Sequence, residues 1–329
     1  LPIYQSTTFK YDSAKMLGDL FDLNASGHFY TRLSNPTLEA VENKIAALES
    51  GVGAMLTSSG QAATMSAILT ICRAGDNVIS TSEIYGGTYN LFNITLRQLG
   101  IDVTFISNDT PADEIRTLVK PNTKAIFGET LSNPSLRVAD LEKLAAVAHE
   151  NNIPLIIDNT FPTPINCRPI EFGADIVIHS TSKYMDGHAV ALGGAVVDSG
   201  RFDWKASGKF PMLSEPDESY HGTVFTEQFG NAAFIAKARC HIMRDCGMQQ
   251  SPQNAFLLNL GLETLALRME RHSQNGLSMA KYLSQHEKVA WVDYPGLESS
   301  RDYELARRYL GGKCSGVVSF GVKGGKAEA

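Results

Sequence analysis

Between residues 35 and 184 the apolar positions follow two alternating periods. Leu38, Val41, Ile45 and Leu48 fall three or four apart, which predicts a helix over 36–50. Asn35 is placed to cap it, Pro36 to take its first position and Gly51 to end it. Helices are also predicted over 60–73, 88–99 and 140–151, the last with Leu141, Leu144, Ala145 and Ala148 on one face. Between them run short apolar segments rich in β-branched residues, at 76–81, 101–106, 124–130, 154–160 and 175–181. This alternation predicts an α/β protein with a mainly parallel central sheet covered on both faces. Ligands of such sheets collect beyond the carboxyl ends of the strands, which is where Glu129, Asp158 and residues 180–183 fall.

The rhythm breaks over 199–230, a stretch rich in Gly, Pro, Ser and aromatic residues (Phe202, Trp204, Phe210, Tyr220, Phe225). A loop this long is uncommon without a purpose, so a functional loop is expected. Helical patterns resume over 226–246 and 252–287. Segments 289–292 and 316–322 read as strands of a smaller C-terminal α/β domain, expected to be incomplete because the chain stops soon after. The opening at Leu1, without a methionine, gives the same expectation of a cut at the other end. The expected organisation is an N-terminal arm (1–34), a main domain (35–245) that includes the 199–230 loop, and a partial C-terminal domain (246–329).

Composition narrows the function classes. With 329 residues, 43% hydrophobic and 19% charged, the chain reads as an ordinary globular protein of about two domains. A net charge of −6 gives no electrostatic reason to bind nucleic acid or an anionic membrane. No apolar run approaches the roughly 18 residues of a membrane span, and no secretory h-region opens the chain, so a cytoplasmic location is expected. The five cysteines are scattered, odd in number and without metal-type pairing, so no metal site is expected. Cys240 and Cys246, in a helical stretch, are expected to be buried thiols.

The candidate chemistry sits at two strand ends. One strand ends in Ser180, Ser182 and Lys183, the other in Asp158 and Thr160. A lysine for a Schiff base, hydroxyls for a phosphate and a carboxylate for a pyridine nitrogen are the parts a pyridoxal phosphate site requires. Most lysines are solvated and most strand-end aspartates bond loop amides. The joint placement of the two favours the cofactor. Ser59-Gly60-Gln61 opens a predicted helix, whose free N–H groups suit a phosphate, although many helices start this way. No Gly-x-Gly-x-x-Gly follows a first strand, which sets aside a dinucleotide fold.

Six blocks in order carry a family resemblance: Tyr30-Thr-Arg-Leu-Ser-Asn-Pro-Thr37, Ser58-Ser-Gly-Gln-Ala-Ala63, Tyr85-Gly-Gly-Thr88, Glu129-Thr-Leu-Ser-Asn-Pro134, Asp158-Asn-Thr160 and His179-Ser-Thr-Ser-Lys-Tyr184. The chain resembles the Cys/Met-metabolism group of pyridoxal-phosphate enzymes, of the aspartate-aminotransferase type (fold type I), and within it the O-acetylhomoserine sulfhydrylases. The resemblance implies that Lys183 carries the cofactor and acts as general base, and that Asp158 pairs with the ring nitrogen. It also implies that Tyr85 stacks on the ring and assists proton transfer. Ser59, Gly60, Gln61, Ser180 and Ser182 would hold the phosphate, with Thr160 among the cofactor contacts. Tyr30 and Arg32 would reach the neighbouring subunit's site, Arg32 offering its planar fork to phosphate, in a homodimer at least and a homotetramer by family expectation. Asn133 and Tyr30 would contact substrate, while the main substrate-carboxylate arginine would lie beyond Ala329. Glu129 has no clear role in this reading, and His179 and His188 are expected to make structural hydrogen bonds.

The reaction implied is γ-replacement: O-acetyl-L-homoserine with sulfide or methanethiol gives homocysteine or methionine, plus acetate. Gly87, where methionine γ-lyases tend to carry cysteine, and the aromatic stretch after Gly193-Gly194 resemble the sulfhydrylases. The 199–230 loop is therefore expected to shape or cover the entrance for a small thiol. Cystathionine γ-synthase and methionine or cystathionine γ-lyase stay open as alternatives on the same scaffold, and so does a catalytically idle binding partner.

Overall fold

The computed structural model describes residues 1–325. Its strands are β1 (Gly53–Thr57), β2 (Asn77–Thr81), β3 (Asp102–Ile106), β4 (Thr123–Glu129), β5 (Leu155–Asp158), β6 (Ile176–His179) and β7 (Gly194–Asp198). They form one sheet in the order β1-β7-β6-β5-β4-β2-β3. Every pairing is parallel except the two made by β7.

Alternation along the strands divides the interior in two. Leu56, Ile79, Ile126, Ile157, Val177 and Val197 face helices Pro36–Glu49, Leu141–Glu150 and Pro252–Glu263. Met55, Val78, Phe127, Ile156, Ile178 and Val196 face helix Gly60–Ile71, Phe92 and the segment around Trp204 and Phe234. A sheet buried on both faces must be apolar at nearly every position, and all five residues of β2 and of β7 are buried.

The helix ends show why the sequence folds this way. Asn35 caps Pro36–Glu49 as expected, its Oδ1 accepting the Thr37 N–H at 2.9 Å. The left-handed residue at the far end is Ser50 (φ 63°), not Gly51. Gly51 serves close approach instead, since a Cβ there would lie 2.5 Å from Val197 Cγ1 and 2.7 Å from the Asp198 carbonyl. Asp140 caps Leu141–Glu150 through the Lys143 N–H, and the expected apolar face is buried.

Several expectations change. Strands β1 and β7 were not legible in the sequence. The helix expected over 88–99 starts at Gly86 and passes at Leu91–Leu96 into a wider π turn. The 226–246 helix is broken by a tight turn at Gly230–Ala232 and a π turn at Ala238–Met243. Cys246 is exposed rather than buried, because the helix ends there and Gly247 turns left-handed (φ 67°). The largest revision concerns 199–230. It is not an open loop but a run of short helical turns (Trp204–Ser207, Pro211–Ser214, Glu218–Tyr220, Phe225–Gln228), and none of its residues lines the strand-end cavity of its own chain. Its aromatics are core: Trp204 stacks on Phe234 at 5.3 Å and meets Phe210 edge-on at 5.0 Å. Lys237 is fully buried, pairs with Asp217 and lies 5.0 Å from the Phe225 ring, tying the segment down.

In the C-terminal part, helix Leu265–Ser284 carries a two-stranded antiparallel sheet of β8 (Val289–Asp293) and β9 (Ser319–Val322). The latter is shorter than the expected 316–322. Among the described residues no helix is long and apolar enough to cross a membrane.

Candidate functional site

Beyond the carboxyl ends of β4, β5 and β6 lies a cavity of about 230 Å³. It is lined by Ser59, Gly60, Gln61, Tyr85, Glu129, Asn133, Asp158, Thr160, Ser180, Ser182 and Lys183, together with Thr64, Thr88, Phe161 and Leu192. Every site residue expected from one chain is therefore gathered here. Tyr30 and Arg32 are not. They line other hollows beside the N-terminal arm, where Arg32 donates to the Arg244 carbonyl and stacks over Tyr30. One of those hollows, about 450 Å³ and walled largely by Phe9, Leu17, Phe21, Phe29 and Leu33, is larger than the strand-end cavity but lacks its lysine and carboxyls.

Thr160 anchors the carboxylate side. Its N–H and hydroxyl both donate to Asp158 Oδ1, at 3.0 and 2.6 Å, and its Oγ1 accepts the Ser180 N–H at 2.8 Å. One hydroxyl thus fixes the ends of β5 and β6 against each other. Asp158 Oδ2 has no hydrogen-bond partner among the described residues, although the carboxyl lines the cavity. Burial pushes the Asp158 pKa up, and the two Thr160 donors pull the other way, with His179 assisting. His179 itself faces the far side of the sheet, where Nε2 lies 2.6 Å from buried Glu49, whose same oxygen accepts from Asn159. His188 bonds the Asp186 carbonyl. Both histidines make hydrogen bonds to the protein, and neither lines the cavity.

Lys183 lies in the turn after β6. Its Nζ makes no hydrogen bond or ion pair among the described residues, so the amine is free in the cavity. The turn is held from outside by Arg268, whose guanidinium donates to the carbonyls of Tyr184 (2.5 Å), Met185 (3.3 Å) and Gly261 (2.7 Å). Gly187 is left-handed (φ 71°), which favours glycine, and a Cβ there would lie 2.3 Å from that guanidinium and have to displace it.

The opposite wall is the N-terminus of Gly60–Ile71. Ser59 Oγ caps it by accepting the Ala62 N–H at 3.1 Å, leaving the first amides facing the cavity, a seat suited to phosphate. Gly60 packs directly on β6: a Cβ would lie 2.7 Å from Ser180 Cβ and 3.0 Å from its Cα. Ser182 Oγ is committed to Gly193, accepting its N–H at 2.9 Å and donating to its carbonyl at 3.1 Å, so it shapes the turn, whereas Ser180 Oγ has no such tie.

Thr88, Phe161 and Leu192 also line the cavity. Thr88 and Phe161 adjoin the Tyr85 and Asp158 blocks and could have been suspected. Thr88 Oγ1 accepts from Gln61 Nε2 at 3.1 Å. Leu192 carries no sequence signal. A free amine, a half-satisfied carboxyl and a bare helix N-terminus around one cavity are the kinds of group that pyridoxal phosphate requires.

Comparison with known proteins gives the same answer. The family model for Cys/Met metabolism PLP-dependent enzymes matches residues 1–329. Homocysteine synthase of Schizosaccharomyces pombe is 49% identical over all of this chain and 77% of its own length. O-acetyl-L-homoserine sulfhydrylase of Corynebacterium glutamicum is 47% identical, with 100% of this chain and 76% of that protein covered. The crystal structure of a putative O-acetylhomoserine (thiol)-lyase from Campylobacter jejuni, containing N'-pyridoxyl-lysine-5'-monophosphate, superposes with a TM-score of 0.94. Its sequence is 37% identical, and the match covers 98% of this chain and 80% of that one. The chain belongs to the Cys/Met metabolism family of PLP-dependent enzymes.

Proposed function

We propose that this enzyme replaces the acetate of O-acetyl-L-homoserine with sulfide, giving homocysteine, or with methanethiol, giving methionine. The observation that carries the reading is the meeting of Lys183, Asp158 and the Gly60–Gln61 amides around one cavity, in a chain whose relatives are named for this reaction.

Pyridoxal phosphate, when bound, supplies an electron sink for negative charge next to the substrate's amine. Lys183 is the residue that would hold its aldehyde, Asp158 its ring nitrogen, and Gly60, Gln61 and Ser180 its phosphate. Ser59, Thr160 and Ser182 act one step back, as the cap, clamp and turn that hold those groups in place. When not holding the cofactor, Lys183 Nζ would be the base available to take the Cα proton and return it later. Tyr85 lends its ring to stacking and its hydroxyl to proton movement, and Asn133 meets the substrate. In net terms the Cγ–O bond breaks with departure of acetate, a Cγ–S bond forms, and the thiol's proton is released.

The active unit in this reading is at least a homodimer, in keeping with family expectation a homotetramer. Tyr30 and Arg32 lie away from their own chain's cavity and would complete the neighbour's, Tyr30 towards substrate and Arg32 towards phosphate. A cytoplasmic location accords with five free cysteines and no disulfide.

The test is to supply O-acetyl-L-homoserine with sulfide, methanethiol or cysteine in turn, with O-succinylhomoserine alongside, and to quantify four products. Homocysteine from sulfide as the dominant product is expected. Dominant cystathionine from cysteine, or 2-oxobutanoate without any thiol, would replace this reading by a cystathionine γ-synthase or a γ-lyase.

A further inference from the structure

Glu129 lines the cavity without a part in the scheme above. It ends β4, directly opposite Asp158 in the parallel register, and the alternation of both strands turns the two carboxyls to the same face. It is 3% exposed, and its side chain's one hydrogen bond among the described residues is to the main-chain N–H of Tyr85, accepted by Oε2 at 2.8 Å. That amide starts the short helix Gly86–Asn90, and the Tyr85 ring folds back over Gly87, where a Cβ would lie 2.5 Å from Cε1. We propose that Glu129 is a positioning residue: it fixes the start of the 85–90 turn, and thereby the Tyr85 ring, over the cofactor and substrate space.

The inference rests on the site proposed above. Its chemistry follows from two neighbouring carboxyls that cannot both ionise cheaply. Asp158 Oδ1 has two donors from Thr160, whereas Glu129 has one amide. Of the two, Glu129 is therefore the carboxyl that more readily keeps its proton. Burial first, and then the Asp158 charge, push its pKa well above the usual carboxyl range. The other titratable groups lining the cavity are Lys183 and Tyr85. A neutral Glu129 anchors Tyr85 without competing with Asp158 for a cationic ring nitrogen.

The test compares wild type with Glu129→Gln, which mimics the neutral acid, and Glu129→Met, of similar size without an oxygen acceptor. Three readouts are taken: hydrogen exchange of the peptide containing amide 85 in cofactor-depleted protein, the pyridoxal phosphate dissociation constant, and the pH profile of kcat/KM. Glu129→Gln is expected to match wild type in all three within about twofold. Glu129→Met is expected to raise exchange and weaken cofactor binding by about tenfold, the effect of one lost hydrogen bond. A Gln variant as impaired as Met, or lacking an inflection that the wild-type profile shows, overturns the neutral positioning role. A Met variant equal to wild type overturns it as well. Should the Met variant fail to fold, the Gln comparison still decides. A wild-type chain that binds no cofactor at Lys183 would sink the proposed function itself, a separate outcome.

Discussion

Replacing Thr160 with valine exchanges one hydroxyl for a methyl of nearly equal size, and its consequences can be worked from three distances. The hydroxyl donates to Asp158 Oδ1 at 2.6 Å and accepts the Ser180 N–H at 2.8 Å, while the Thr160 N–H, at 3.0 Å from the same carboxyl oxygen, survives the change. A hydrogen bond to a charged group contributes about 1.5–3 kcal/mol. At 1.36 kcal/mol per pKa unit, its loss raises the Asp158 pKa by about 1–2 units beyond where burial already holds it. A smaller ionised fraction is then available for the ring nitrogen at a given pH, so the acid limb of the kcat/KM profile moves upward by that amount. Separately, the Ser180 N–H loses its acceptor, which costs about 1–3 kcal/mol of stability in the cofactor-depleted protein. Thr160→Ser keeps the hydroxyl and should restore both properties. Measuring the pH profile and urea denaturation of the three proteins checks this. An unmoved acid limb in the valine variant would refute the clamp, and a serine variant as impaired as valine would show that the methyl, not the hydroxyl, matters.

Two further outcomes follow from the same geometry. Asp198 is buried, its carboxyl accepts only the Gly200 and Ile235 N–H groups among the described residues, and burial pushes its pKa from 3.8 to about 7. The folded state therefore holds a proton that the unfolded chain releases near pH 4. This contribution to stability is full below that pH and falls by up to about 1.4 kcal/mol per unit as pH rises towards 7. Asp198→Asn should flatten the slope in urea denaturation between pH 5 and 7, and an unchanged slope would contradict the assignment. Trp204→Ala should destabilise the protein by about 3–5 kcal/mol in the same assay, yet leave the preference for sulfide over cysteine in the surviving folded enzyme unaltered. A changed preference at unchanged stability would support the expected role of the 199–230 segment at the entrance.

Much of the site was legible because its residues sit where chain geometry forces them. Asp158 and Lys183 each follow a run of β-branched residues, and strands of that kind in a parallel sheet end at a common edge. Ser59-Gly60 was legible as a helix start for the same local reason. Strands β1 and β7 were not. Gly-Ala-Met-Leu-Thr and Gly-Ala-Val-Val-Asp are five-residue runs with few β-branched positions, and β7 runs antiparallel without a hairpin to announce it. Segment 199–230 misled because Gly, Pro and Ser suggest exposure, whereas its aromatics, at no regular spacing, are buried by tertiary contact with Phe234. Glu129 was visible at a strand end, but its bond to an amide 44 residues earlier exists only in the folded chain.

The central claim is a covalent one, and borohydride reduction of the purified protein followed by peptide mass mapping tests it most directly. The account predicts one phosphopyridoxyl group, found on the peptide containing Lys183 and absent from Lys183→Ala. Label on another lysine, or none on a protein that nevertheless makes homocysteine, would contradict it.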